Sequence, residues 1–180
     1  VIFYGYSKSI EKVATLCKNH DLKLPQIMLN FFIANPNESV ASLLNQQRRF
    51  LQASQIYSKL NMKDEAVKSL ISLNDVEKVI ELTKEVDDQA CYALSADYIA
   101  VTFNPNRKSP LFQLVVEFYS KSGEFEKISN FLETRAQSEI SERQNYEIAL
   151  DLLRESQNWL AKSSSSFSIE ENEKITKKIR

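Results

Sequence analysis

The feature that most constrains this chain is one short segment that occurs three times in succession, in copies of equal length. The copies are RRFLQASQIYSKL at 48–60, NMKDEAVKSLISL at 61–73 and NDVEKVIELTKEV at 74–86. In each copy, apolar residues recur at steps of three or four, which is the spacing of one stripe on an α-helix. The repeat unit is therefore predicted to be one short helix and its turn.

The copies share a register when they are aligned on Arg48, Asn61 and Asn74, and GEFEKISNFLETR at 123–135 fits as a fourth copy that Gly123 opens. A single short helix cannot bury its apolar stripe, whereas a stack of copies buries a continuous one. The residues predicted to pack between repeats are Phe50, Ala53, Ala66, Leu70, Val79, Leu82 and Ile128.

The composition favours helices throughout. Only 2 glycines and 4 prolines occur in 180 residues, so the chain has few of the residues that tight hairpin turns require. Two helices take about 26 residues, against roughly 34 in a tetratricopeptide (TPR) repeat. The predicted fold is an all-α, TPR-like α-solenoid of short antiparallel helix pairs, with helices at 7–19, 25–34, 37–46, 48–60, 63–73, 75–86, 88–103, 108–121, 124–138 and 142–162.

Charge and hydropathy argue against several classes of partner. The formal net charge is −1, which disfavours nucleic acid because binding to a polyanion needs a basic surface. No apolar run approaches the roughly 20 residues of a membrane-spanning helix, so no membrane insertion is expected. Gly5 and Gly123 stand alone, and without a glycine-rich phosphate loop we expect no small-molecule substrate.

Cysteine and histidine, the usual ligands of structural zinc, are scarce. Cys17 and His20 lie about one helical turn apart, but the sequence contains only one further residue of these types, Cys91. Three such ligands do not complete a tetrahedral structural zinc site. The interpretation is that Cys17 is half-buried beside a histidine that ends a helix. We predict no metal site, no catalytic residues, no cofactor and no enzyme activity.

A family resemblance is carried by ASLLNQQRRFLQASQIYSKL at 41–60, KDEAVKSL at 63–70, VEKVIEL at 76–82 and RQNYEIALDLLRESQNWLAK at 143–162. These runs resemble the C-terminal TPR-like region of the large propeller-plus-TPR subunits of intraflagellar transport complex A. Within that family the chain is most similar to the subunit named for a mass of about 140 kDa. The function expected for this chain is therefore inferred by analogy with that family.

The resemblance implies a non-catalytic scaffold of the intraflagellar transport A particle, which mediates protein–protein contacts in retrograde ciliary transport and in ciliary entry of membrane proteins. It implies a cilium or flagellum and basal body localisation on the cytoplasmic side. The implied partners are other intraflagellar transport A subunits and, indirectly, cargo adaptors. The alternative is an α-solenoid module of a vesicle coat or tethering complex, because those complexes use the same propeller-plus-solenoid plan.

Two surfaces are candidates for binding a protein partner. Arg48 and Arg49, with Lys59 and Lys63, form a basic cluster beside Phe50 and Tyr57, and arginine and tyrosine are residue types that interface hot spots favour. The alternative is that Phe50 and Tyr57 are core and that the arginines are merely solvated. The last long helix carries more apolar residues than one stripe needs, and we expect Trp159 to lie at its edge as a contact for another subunit.

The predicted domain organisation is a TPR-like helical repeat domain at 1–162, followed at 163–180 by a serine-rich break and a C-terminal helix. Because the sequence starts at Val1 without a methionine, we expect it to be a fragment of a longer chain. The helix at 169–180 is expected to fold back over part of the helix at 142–162.

Overall fold

The computed structural model describes residues 10–163, which contain α-helices, one 3-10 helix and no strand. The predicted tail helix and the predicted helix start at residue 7 lie outside the described residues. The helices are α1 (Ile10–Asn19), a 3-10 helix (Gln26–Met28), α2 (Leu29–Ala34), α3 (Glu38–Gln46), α4 (Phe50–Lys59), α5 (Lys63–Leu73), α6 (Val76–Val86), α7 (Gln89–Phe103), α8 (Pro110–Ser122), α9 (Phe125–Ser141) and α10 (Tyr146–Leu160).

This element order confirms the all-α prediction, and most helix bounds agree to within two residues. The helix predicted at 25–34 instead begins with a 3-10 turn before α2. The helix predicted to start at 142 starts at Tyr146, because the Asn145 side chain caps it by accepting a hydrogen bond from the Ile148 N–H. A side-chain oxygen at this position satisfies one of the unpaired donors of the first turn.

Left-handed backbone at the ends of helices sets the repeat length. Residues with φ between 45° and 76° follow the C-termini of eight helices, at Asp21, Arg48, Asn61, Asn74, Asp87, Asn104, Gly123 and Gln144. Four of them, at 48, 61, 74 and 87, are evenly spaced along the chain. The left-handed conformation reverses the chain direction after a helix, so the sequence period is the spacing of these turns.

For six of these eight left-handed residues, the residue five positions later in the sequence is buried. These residues are at most 4% exposed, and they are Ala53, Ala66, Val79, Tyr92, Ile128 and Ala149. Leu70 is also buried, while Phe50 and Leu82 are half-buried. The stripe is less regular at the helix ends, since Leu73 is 37% exposed.

The chain forms two compact units, and the division falls between Ser95 and Ala96 within α7. In the first unit, α3 packs on α1 and α4, and α5 packs on α4 and α6. One continuous apolar core runs through this unit from Val13 to Ala66. Its helices therefore share their apolar stripes as the repeat pattern requires.

In the second unit, α9 packs on both α8 and α10. Its fully buried side chains include Phe112, Phe118, Leu132 and Leu152. A buried hydrogen bond of 2.8 Å joins the hydroxyls of Ser129 in α9 and Ser156 in α10. Small side chains at this contact let the two helices satisfy their polar groups within the core.

Arg48 is a left-handed turn residue whose replacement by glycine is expected to favour the folded state. Its φ of 58° is costly for a residue with a Cβ atom and free for glycine. We expect Arg48→Gly to exceed Arg48→Ala in stability by about 1 kcal/mol. Both variants remove the guanidinium, so the comparison isolates the backbone, and urea unfolding measures it. Equal stability of the two variants would contradict a left-handed residue at this turn.

Candidate protein-interaction surfaces

The predicted basic cluster is only partly available to a partner. Arg49 Nη1 donates a hydrogen bond of 2.7 Å to the Leu24 carbonyl, and Lys59 Nζ donates one of 2.8 Å to the Ile33 carbonyl. These two cations therefore tie α4 to the segments that precede it. Tyr57 is 5% exposed, and burial together with nearby carboxylates raises the pKa of its hydroxyl. Of the two arginines, Arg48 is exposed and Arg49 is half-buried, so a contact proposed here rests on Arg48.

Trp159 lies near the end of α10 and is half-buried. Its ring stacks on Phe125, with the ring centroids 6.0 Å apart. Lys162 Nζ lies 3.7 Å from the centroid of the same ring, a distance at which the ammonium is attracted to the aromatic face. The indole is therefore held between two neighbours while part of its surface remains accessible.

A groove in the second unit combines exposed apolar and charged groups. It has a volume of about 400 Å³. It is lined by one face of α7 and the residue after it, by one residue of α8 and by one face of α9. The lining residues are Asp97, Ala100, Val101, Asn104, Tyr119, Lys127, Asn130, Phe131, Thr134 and Arg135.

An ion-pair network occupies one part of this groove. Tyr119 donates its hydroxyl hydrogen to Asp97 Oδ1 at 2.7 Å, and Lys127 Nζ lies 3.0 Å from Asp97 Oδ2. Burial and the hydrogen bond to Asp97 raise the pKa of Tyr119, so its hydroxyl remains a donor. The charges of Asp97 and Lys127 therefore neutralise each other within the groove.

Arg135 occupies the other part of the groove. Its Nη1 donates a hydrogen bond to the side-chain oxygen of Asn104, and its guanidinium lies 5.6 Å from the centroid of the Phe131 ring. Its Nε is buried and has no hydrogen-bond partner. Within residues 10–163, no carboxylate forms an ion pair with Arg135. The groove thus has a net positive charge that is centred on Arg135.

The sequence analysis did not predict this groove. Asp97 and Arg135 lie far apart in the sequence, and neither belongs to a recognisable motif. The available signal was α7, QACYALSADYIAVTF, whose apolar residues lie all around the helix. Such a helix is normally buried on all sides, yet Val101 is 82% exposed.

Cys17 was expected to be half-buried beside a histidine that ends a helix, and the structure buries it more fully, at 1% exposed. Cys17 is buried and His20 is exposed. Asp64, Asp88 and Cys91 place one potential ligand atom each within 4.8 Å of one another. Burial and the hydrogen bond to Asp64 raise the pKa of Cys91 to about 12. Two carboxylates and one thiol are fewer than the four ligands of a structural zinc site.

We expect the purified chain to contain no stoichiometric zinc and to keep its helicity in a chelator. The reason is that packing of the helical stack, and not a bound ion, supplies the folding free energy. Elemental analysis and circular dichroism before and after chelation test this expectation. One zinc per chain, lost together with the helical signal, would contradict it.

The helices of residues 10–163 define the class of the protein, which is a TPR-like α-solenoid. None of these helices has the length and apolar content needed to cross a bilayer. Residues 126–180 match the family model for the C-terminal TPR domain of intraflagellar transport protein 140. The match confirms the resemblance predicted from the sequence. A TPR domain is a protein-interaction fold, and the match supports a scaffold module of intraflagellar transport complex A.

Proposed function

We propose that this chain is a scaffold module through which its parent protein contacts other subunits of intraflagellar transport complex A. In this role it supports retrograde ciliary transport and the ciliary entry of membrane proteins, and it contacts cargo adaptors indirectly. The proposed location is the cytoplasmic side of the cilium and the basal body. The chain performs this role without catalysis.

The match of residues 126–180 to the C-terminal TPR domain of intraflagellar transport protein 140 carries the proposal. This range includes nearly all of α9 and the whole of α10, the two helices that hold Arg135 and Trp159. The surfaces described above supply what a scaffold needs, because aromatic and arginine side chains at partly buried positions are the common anchors of protein interfaces.

Co-purification of the full-length protein tests this proposal. We expect the other intraflagellar transport A subunits to be recovered in stoichiometric amounts, as judged by quantitative mass spectrometry. Recovery of coatomer or tethering-complex subunits instead would assign the chain to a vesicle coat or tethering complex and would refute the proposal.

Trp159→Ala is expected to weaken co-precipitation of the other complex subunits by roughly 30-fold, the effect of losing one interface hot spot. Its melting temperature should fall less than that of Leu160→Ala, because Leu160 is fully buried and its truncation leaves a cavity. Both variants are measured by thermal melt and by co-precipitation. If the loss of stability in Trp159→Ala accounts for all of the lost binding, Trp159 is a core residue and not an interface residue.

A further inference from the structure

The groove between α7, α8 and α9 contains an apolar side chain that the described structure leaves open. Val101 is 82% exposed although it lies on a helix with apolar residues on every side. An exposed valine alone is unremarkable, since single apolar residues are common on protein surfaces. Val101 differs because Ala100 and Phe131 line the same shallow groove, so a partner side chain can contact more than one apolar residue there.

The charge of the groove determines which partner fits. Lys127 is already paired with Asp97, whereas Arg135 lines the groove and forms no ion pair with a carboxylate of residues 10–163. Burial lowers the pKa of Arg135, and the charge of Glu142 opposes this effect. A guanidinium that is held over the Phe131 ring and partly removed from water binds a carboxylate more strongly than an exposed one does.

We propose that this groove binds a segment of a partner protein in which an aspartate or glutamate lies next to an apolar residue, with the acid on Arg135 and the apolar side chain on Val101. The inference rests on the proposed function, since the partner segment belongs to another subunit of the complex. A volume of about 400 Å³ accommodates a few side chains of such a segment. A basic partner is disfavoured because Arg135 would repel it.

The test uses the full-length protein reconstituted with the other complex subunits. A photo-crosslinking amino acid at position 101 is activated by light, and the crosslinked peptide is sequenced by mass spectrometry. We expect a peptide from another subunit with an acidic residue within about four positions of the crosslink, one helical turn. A crosslink to residues 164–180 of this chain, to a second copy or to a basic segment, or no crosslink at all, would overturn the inference.

Substitutions supply the energetic part of the test. Arg135→Glu should weaken binding of the crosslinked subunit by roughly 30-fold or more, because it leaves the partner acid unpaired and facing a like charge. Val101→Asp should weaken binding by a similar factor, because it places a carboxylate against the apolar side chain and the acid of the partner. Ile27→Asp is the matched control, because Ile27 is as exposed as Val101, at 81%, and lies outside the groove. Replacing the partner acid with arginine should restore binding to Arg135→Glu.

If Arg135→Glu folds poorly, Val101→Asp still tests the groove. Val101 is 82% exposed, so an aspartate at this position does not disturb the core. Equal binding by Val101→Asp and Ile27→Asp would overturn the groove inference while complex assembly stands. Failure of the wild-type protein to assemble with any complex A subunit would overturn both the proposed function and the groove inference.

Discussion

Phe112→Ala is expected to lower the free energy of unfolding of the chain by about 3–5 kcal/mol. Phe112 is fully buried in α8. The centroid of its ring lies 5.2 Å from the centroid of the Phe131 ring in α9. The substitution removes the contact between two aromatic rings and leaves a cavity between these helices. Urea unfolding followed by circular dichroism gives the free-energy change.

Tyr146→Ala is the control for Phe112→Ala, because Tyr146 is an aromatic residue that is 66% exposed at the start of α10. We expect its effect to stay within about 0.5 kcal/mol, as for other surface substitutions. Equal effects of the two substitutions would mean that Phe112 does not fill the core of the second unit.

Ala53→Leu and Ala66→Leu are each expected to destabilise the first unit by about 1–3 kcal/mol through overpacking. Both alanines are completely buried, at the same position in successive repeats, and α4 packs directly on α5. A larger side chain at either position must displace backbone or force neighbouring side chains from their preferred rotamers. Thermal melts monitored by circular dichroism measure the loss.

Ala90→Leu provides the matched control for these two variants, since Ala90 lies on α7 and is exposed. The alanine-to-leucine change at position 90 should leave the melting temperature of the protein nearly unchanged. If Ala53→Leu and Ala66→Leu also leave the melting temperature unchanged, the register of the repeats is wrong and these positions face solvent.

The sequence carried enough information to place the turns of the repeat. Asn61, Asn74 and Gly123 are residue types that adopt left-handed backbone readily, and all three do so. Arg48 has no such preference, and only the regular period of the repeat places a turn there. Asp87 continues the same spacing, and it is the one residue between the helices predicted at 75–86 and 88–103.

Polar residues within the core could not be predicted from apolar periodicity. The pattern placed Leu82 on the buried stripe, but Thr83 is the fully buried residue and Leu82 is half-buried. Thr83 is accommodated because its hydroxyl lies 2.6 Å from that of Ser95 and also donates to the Val79 carbonyl. Hydroxyls that satisfy each other in this way can be buried at little cost, and periodicity does not register such a pairing.

The candidate surfaces were predictable to different degrees. The position of Trp159 can be predicted, because a tryptophan near the end of a helix with excess apolar residues is conspicuous in the sequence. The groove at Arg135 was not, because Asp97, Lys127 and Arg135 come together only when α7 and α9 are folded. Which cation is neutralised by Asp97 depends on distances of about 3 Å, and the sequence pattern contains no such distances.

The central claim is that this chain is a scaffold module that contacts other subunits of intraflagellar transport complex A. Hydrogen–deuterium exchange of the full-length protein, measured alone and with the other subunits, tests it most directly because slower exchange marks the backbone that binding protects. We predict slower exchange in peptides from α7 to α10 when the other subunits are present. Unchanged exchange throughout residues 10–163, with protection only elsewhere in the full-length protein, would contradict the claim.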